Sequence, residues 1–369
     1  MVMSDHFSTF VILFFFGFIL SACIGSVSKN SGNTPSLIPS LEASRSPTAV
    51  EVTSTIPSTA TPLPSATYTL TPTETLTPTP SLGIGSSFVR DADKMTMMYV
   101  PEGEFLMGLS DEEIDSILKS NLCKNDPCKK SSFIEEQPQH KVYLDAFWID
   151  QTEVTNAMFS KCVADKACKA PGKFVDPDHP QWYGNKKFDN YPVVLITWQQ
   201  ATDYCHWAGG SLPTEAQWEK AARGTDGRLF PWGNDQDPLK ANTCDKNCIG
   251  GASKDFSVND GYPETSPVGS FPQGASPYGV LDMAGNVYEY ISDWKFDFYY
   301  SESPYKNPTG PQTPIPPNPN LINPYPCHSL RGGAWDEAFG APHLVSSRNC
   351  GGTGTFHCLG FRCVVNIKQ

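Results

Sequence analysis

The 369 residues carry a net charge of −12, and only 18% of them are charged. With no basic run to offset that acidic excess, binding through nucleic-acid phosphates is excluded. Twelve cysteines, 33 prolines and 12% aromatics suit a loop-rich, tightly packed domain rather than a helical bundle.

Residues 1–22 have the pattern of an export signal. An apolar run from Phe10 to Leu20 is followed by Leu20-Ser21-Ala22-Cys23. The tetrapeptide resembles a bacterial lipobox, whose cysteine is diacylated and becomes the new N-terminus. Cys23 is therefore the expected lipidation site, and two acyl chains at about 0.8 kcal/mol per buried CH₂ give stable membrane anchoring. The competing reading is an uncleaved membrane-spanning helix, for which the run is short. Asp5 and the lack of Lys or Arg before the run depart from the usual signal. On either reading the remainder lies outside the cytoplasm, on the outer face of the cytoplasmic membrane or at the cell surface. Residues 23–90 are Ser, Thr and Pro with little apolar mass, as in Thr69-Leu70-Thr71-Pro72-Thr73. Such a stretch cannot recover its ordering entropy by burial and is expected to be an extended stalk. The folded domain is then 91–369.

Residues 95–108 have the alternation of two short strands around Pro101-Glu102-Gly103. Residues 109–134 have the look of an inserted loop. Residues 138–156 alternate again, with Val142, Leu144, Phe147, Ile149 and Val154 apolar, and His140 is expected at a strand end. After Thr197 the period becomes helical, with Ala201, Tyr204, Cys205 and Ala208 on one face and Gly209-Gly210 as the stop. Thr214 and Gln217 form a capping-box pair for a second helix, which Glu215 favours through the helix dipole. Residues 303–326 are a Pro-rich insertion.

Outside the cytoplasm the cysteines are expected to form disulfides. Close pairs are Cys123/Cys128, Cys162/Cys168, Cys244/Cys248 and Cys350/Cys358. Zinc is the competing reading, but most spacings exceed those of zinc sites and only seven histidines are present. A redox role for Cys350/Cys358 is weighed against a structural clip, and the clip is preferred.

Several blocks occur in a telling order. They are Gly103-x-Phe-x-Met-Gly108, Glu153-Val-Thr-Asn156, Leu212-Pro-Thr-Glu-Ala-Gln-Trp-Glu219, Phe230-Pro-Trp-Gly-Asn234, and Gly279-Val-Leu-Asp-Met-Ala-Gly-Asn-Val-Tyr-Glu-Tyr290. Arg331-Gly-Gly-Ala-Trp335 and Leu359-Gly-Phe-Arg-Cys363 close the series. From about Thr96 to the C-terminus the chain resembles the formylglycine-generating enzyme family, the sulfatase-modifying factor domains. The resemblance implies an α+β fold related to the C-type lectin fold, with little regular secondary structure. It implies a long disulfide between Cys205 and Cys363, which leaves Cys327 unpaired. It also implies two structural calcium sites. One is formed by Asp282, Gly285, Val287 and Glu289, the other by Asn242, Thr243, Asp260 and Tyr262. Hard cations of this kind take carboxylate and carbonyl oxygens together.

Family enzymes use two cysteines shortly after the Gly-Gly pair to hold copper and a substrate thiol. Those places fall on Glu337 and Pro342, and soft Cu(I) requires thiolates that neither residue supplies. Ala334 stands for the usual serine and Tyr288 for the tryptophan of the calcium loop. The expectation is a non-catalytic module that binds a peptide, protein or glycan, anchored to the membrane through its lipid. The competing expectation is an enzyme that oxidises a target cysteine to formylglycine with copper, or performs another metal-dependent oxidation. Iron-dependent relatives rely on a histidine cluster that this sequence does not show.

Overall fold

A computed structural model of the chain describes residues 82–367, apart from 125–126, 176–178, 251–253, 320, 323–324 and 352–353. The expected signal, Cys23 and the stalk through residue 81 lie outside the described residues. The folded region starts slightly earlier than the expected boundary at 91, because β1 (Ser87–Val89) already pairs with the next strand.

After β1 come β2 (Thr96–Val100), β3 (Gly103–Met107), α1 (Asp111–Lys119), β4 (His140–Leu144), β5 (Phe147–Asp150) and α2 (Asn156–Ala164). They are followed by α3 (Trp198–Trp207), α4 (Glu215–Arg223), β6 (Tyr288–Trp294), β7 (His328–Arg331), β8 (Asn349–Gly351), β9 (Leu359–Gly360) and β10 (Val364–Asn366). The strands form three sheets among the described residues, ordered β1-β2-β5-β10, β3-β4 and β8-β7-β6-β9. The mixed α+β architecture and sparse helix agree with the expected fold.

The two short strands flank Pro101-Glu102 as expected, yet they do not pair with each other. β2 lies against β5, with Met98 opposite Ile149, and β3 lies against β4, with Phe105 opposite Val142. The 109–134 segment is not a plain loop. Ser110 and Glu113 form a capping box that starts α1, and Ile114 and Ile117 turn its apolar side inward. The Glu153–Asn156 block leads into a helix, with Thr155 as the N-cap of α2. α3 and α4 begin at the caps expected of them, Thr197 and Thr214. The Pro-rich insertion starts by lying along β4, where Tyr143 N donates to Tyr305 O at 2.7 Å and Asn307 N donates to Tyr143 O at 2.8 Å.

α4 is the central element. Trp218, Ala221 and Ala222 pack in the apolar cluster that also holds Phe105, Phe147, Ile149 and Val345. Its acids face a dry ion network. Arg331 Nη2 donates to Glu215 at 2.9 Å, Arg331 Nη1 to Glu219 at 3.1 Å, and Arg348 Nε to Glu215 at 2.7 Å. Although burial opposes ionisation, Arg348 and Arg331 hold the Glu215 carboxyl well below its ordinary range.

Disulfides join Cys123 to Cys128, Cys162 to Cys168, Cys244 to Cys248 and Cys205 to Cys363. The short clips are thus disulfides rather than zinc ligands, and the long bridge is the one the family resemblance implies. Two expectations need correction. Cys350 is bonded to Cys327 and not to Cys358, and Cys327 is therefore not left over. The reason is strand pairing: β7 and β8 run antiparallel with Ser329 opposite Cys350, and this brings Cys327, just before β7, within bonding reach. Sequence proximity favours Cys358, but that residue belongs to the turn leading into β9.

Candidate functional site: two expected calcium loops and the Tyr288–Glu337 pair

The 279–290 block forms a tight turn before β6. Asp282 and Asn286 adopt left-handed backbone, with φ of 56° and 62°. Gly285 (φ 78°) sits so close to Asn242 that any Cβ there would collide with the Asn242 carbonyl. That contact brings together the two loops in which calcium ligands are expected.

Asn286 is the junction. Its backbone N–H donates to Asn242 O at 2.9 Å, and its side-chain oxygen accepts from Asn242 Nδ2 at 3.1 Å and from Ser266 N at 2.9 Å. Its Nδ2 donates to Glu153 Oε1 at 2.9 Å. In the Asn242 loop, Asp260 accepts from Thr243 N at 3.0 Å and from Tyr262 N at 2.9 Å. The four expected members of this site thus occupy one place. Burial is the main cause that pushes the Asp260 carboxyl up to about 6, with the Asp245 carboxylate adding to it. Asn242 Oδ1 is buried without a partner. A buried amide oxygen lacking a donor, beside a carboxylate in a dry environment, fits a hard cation.

The other loop is assembled less simply. Asp282 is buried and its Oδ2 accepts from Gly269 N at 2.6 Å. Glu289 is also fully buried but has strong partners: Arg362 reaches both its oxygens at 2.7 Å, and Trp218 Nε1 donates to it at 2.8 Å. Gly285 and Val287 lie between these two acids. Burial pushes the Asp282 and Glu153 carboxyls up. The Asp282 charge adds to the rise at Glu153, Glu289 adds at both, and Arg362 opposes it. Among the described residues no group of three or more His, Cys, Asp or Glu side chains is arranged as a metal centre. A cation in either loop would therefore depend on carbonyl and amide oxygens as well as carboxylates.

The buried region beside Arg331-Gly-Gly holds oxygen and nitrogen groups at the places where the resemblance puts thiols. Tyr288 donates its hydroxyl to Glu337 Oε2 at 2.8 Å, and Asn349 Nδ2 donates to the Tyr288 oxygen at 2.9 Å. Burial, then the Glu337 carboxylate, pushes the Tyr288 phenol far above its ordinary value, so it remains a donor. The Glu337 carbonyl accepts from Cys244 N at 2.7 Å and so ties this region to the Cys244–Cys248 clip. Asp336 is buried, and burial raises its carboxyl to about 6. Pro342 lies in a 3-10 turn, Ala341–His343, in which His343 is fully buried. Ala334 is likewise fully buried. Sequence reading does not single out Glu153, Asn286, Asn349 or Arg362 as site residues. Glu153, Asn286 and Arg362 stand inside recognised blocks, whereas Asn349 does not.

Comparison with known proteins supports the same assignment. Residues 86–367 match the family model described as a sulfatase-modifying factor enzyme 1-like domain. The chain is 32% identical to a formylglycine-generating enzyme of Streptomyces coelicolor over 274 residues, covering 62% of this chain and 81% of the relative. It is 31% identical to that of Thermomonospora curvata over 318 residues, covering 73% and 93%. Among solved structures, PvdO from Pseudomonas aeruginosa superposes with a TM-score of 0.58 at 24% identity, covering 78% of this chain and 100% of the other. Treponema denticola variable protein 1 does so with 0.52 at 20% identity, covering 76% and 99%. These two likenesses concern the fold alone. With the block order, the α4-centred architecture and the Cys205–Cys363 bridge, the chain belongs to the formylglycine-generating enzyme family of sulfatase-modifying factor domains.

Proposed function

We propose that this domain is a membrane-anchored, extracytoplasmic binding module for a peptide, protein or glycan, built on the scaffold of a family of oxidases. The observation that carries the reading is the hydrogen bond from Tyr288 to Glu337. It occupies the place of the first expected thiol with a carboxylate already paired to a phenol. Pro342 supplies no ligand at the second place. A site of this composition suits polar recognition and does not suit Cu(I), which favours thiolate. Structural calcium in the two loops belongs to the same reading. The ions would hold irregular chain together where secondary structure is sparse, and Asn242, Asp260 and Asp282 offer the oxygens. Lipid anchoring at Cys23 would hold the module to the membrane at the end of its stalk.

The competing reading is formylglycine formation, and it is favoured by the 31–32% identity to enzymes of that name. One assay separates the two. The purified chain is incubated with a Cys-x-Pro-x-Arg peptide, copper and O₂, and the peptide is followed by mass spectrometry. The expected outcome is unchanged thiol. Conversion of the cysteine to the aldehyde would replace the binding-module reading with the enzymatic one.

A further inference from the structure

A cavity of about 220 Å³ lies where three separately fixed turns meet the segment that carries Phe339. Phe339 and Leu122 give it apolar lining. Both are largely buried, and Phe339 stacks on Phe230 with ring centroids 5.1 Å apart. The first turn, Asn121 to Lys124, is closed by Lys124 N donating to Asn121 O at 3.0 Å and is clipped by the Cys123–Cys128 disulfide. It sits directly against the Phe339 segment, for a Cβ at Gly340 would come within 2.8 Å of the Leu122 carbonyl oxygen. The second turn brings Gln236 and Pro238. Pro238 heads a 3-10 turn capped by Asp237, whose Oδ1 accepts from Leu239 N at 3.0 Å. The third brings Asp255, whose N–H donates to Cys244 O at 3.0 Å and whose Oδ1 accepts from Ser257 N at 3.0 Å. None of these lining residues is an expected calcium ligand or a member of the Tyr288–Glu337 pair.

The lining thus combines one cation, one anion, two side-chain amides and an apolar patch. Lys124 is exposed and forms no ion pair among the described residues, so its charge is open to a ligand. Asp255 keeps accepting capacity beyond what Ser257 uses, since a carboxylate offers about four lone-pair sites. A ligand bearing only a carboxylate meets repulsion from Asp255, and one bearing only an ammonium meets it from Lys124. A zwitterion satisfies both. The volume falls below the roughly 300–1,000 Å³ of sites for drug-sized ligands and suits a smaller molecule. We propose that this cavity binds a free apolar α-amino acid. Its carboxylate pairs with Lys124, its ammonium with Asp255, and its side chain lies against Phe339, Leu122 and Pro238. The Asn121 and Gln236 amides supply further donors to the carboxylate. The inference goes beyond the binding-module reading and does not depend on it, because it uses neither the Tyr288–Glu337 pair nor calcium.

The test is isothermal titration of the purified full-length chain with L-leucine, L-methionine and L-phenylalanine. At least one is expected to bind at a single site with Kd below about 1 mM. No binding by any of the three in that range overturns the proposal. Analogues of the tightest ligand then probe each contact on the unaltered chain. Its amide lacks the carboxylate and its N-acetyl form lacks the ammonium, and each is expected to bind at least tenfold more weakly. Glycine, which lacks the apolar side chain, is expected to do the same. An N-acetyl form that binds as tightly as the parent would make the site one for the carboxyl end of a peptide, and the amino-acid proposal would fall. Lys124→Ala and Asp255→Asn address the protein side. The amide introduced in D255N keeps an oxygen for Ser257 N, and Lys124 is exposed, so both variants are expected to fold with unchanged melting. Each is expected to weaken binding about tenfold or more. Unchanged affinity in either variant overturns the assignment, and if D255N fails to fold, the N-acetyl comparison decides the ammonium contact alone.

Discussion

Arg362 closes on Glu289 with two nitrogens, each 2.7 Å from a different carboxylate oxygen, and both side chains are fully buried. The same guanidinium donates to the carbonyls of Asp150, Gln151 and Leu281 at 3.0–3.2 Å. One arginine near the C-terminus thereby joins β5, the 279–290 loop and β6. Removing it exposes the pair's weakness, because a buried carboxylate left without its partner keeps its full desolvation cost. Arg362→Ala is expected to lower unfolding free energy by about 3–5 kcal/mol. Urea denaturation measures this, and a loss below about 1 kcal/mol would show that water or a rearranged cation had compensated Glu289.

The disulfides differ in what they restrain. Cys205–Cys363 closes 158 positions, whereas Cys244–Cys248 closes only 4. Loop-closure entropy then assigns about 5 kcal/mol to the first and about 2 kcal/mol to the second. Paired Cys→Ser variants of each bridge, compared by thermal melting, are expected to show the larger fall for Cys205/Cys363. Equal falls would mean that strain or residual unfolded structure, and not chain length, governs their effect.

Glu136 gives the pH dependence a definite sign. Burial, followed by repulsion from Glu135, raises its carboxyl to about 7, while Lys295 and Arg348 pull it down. Its Oε2 is buried without a partner and its Oε1 accepts from Arg348 N at 3.3 Å. The folded chain therefore holds this proton more tightly than the unfolded chain, whose glutamate titrates near 4.5. The contribution is complete below that value and is lost as pH rises from there to about 7. Between about pH 5 and 8 the loss is on the order of 2 kcal/mol. Glu136→Gln is expected to reduce the slope of the stability profile across that window, as read from denaturation midpoints at each pH. An unaltered slope would remove Glu136 as a contributor.

Much of the architecture can be read from local chemistry. The caps at Thr197 and Thr214 start α3 and α4 because a side-chain oxygen beside free N–H groups acts over three residues. The 123–128, 162–168 and 244–248 clips are similarly local. The family blocks carry the remainder of the fold, and the resemblance puts Glu337 where a thiol is expected. The helix in the 109–134 segment escapes sequence reading because α1 is short and amphipathic, and its apolar positions are too few to stand out against the loop around it.

Three-dimensional packing had to settle the rest. Cys327 meets Cys350 because β7 and β8 run side by side, a pairing that no spacing in the chain encodes. Glu289 is drawn to Arg362, and Glu153 to Asn286, because the strands and loops that carry them converge only in the folded chain. Composition, caps and short spacings report interactions whose partners are a few residues away. Charge pairing in a dry interior depends on which distant groups remain after every other donor and acceptor has been matched, and that is a property of the whole folded chain.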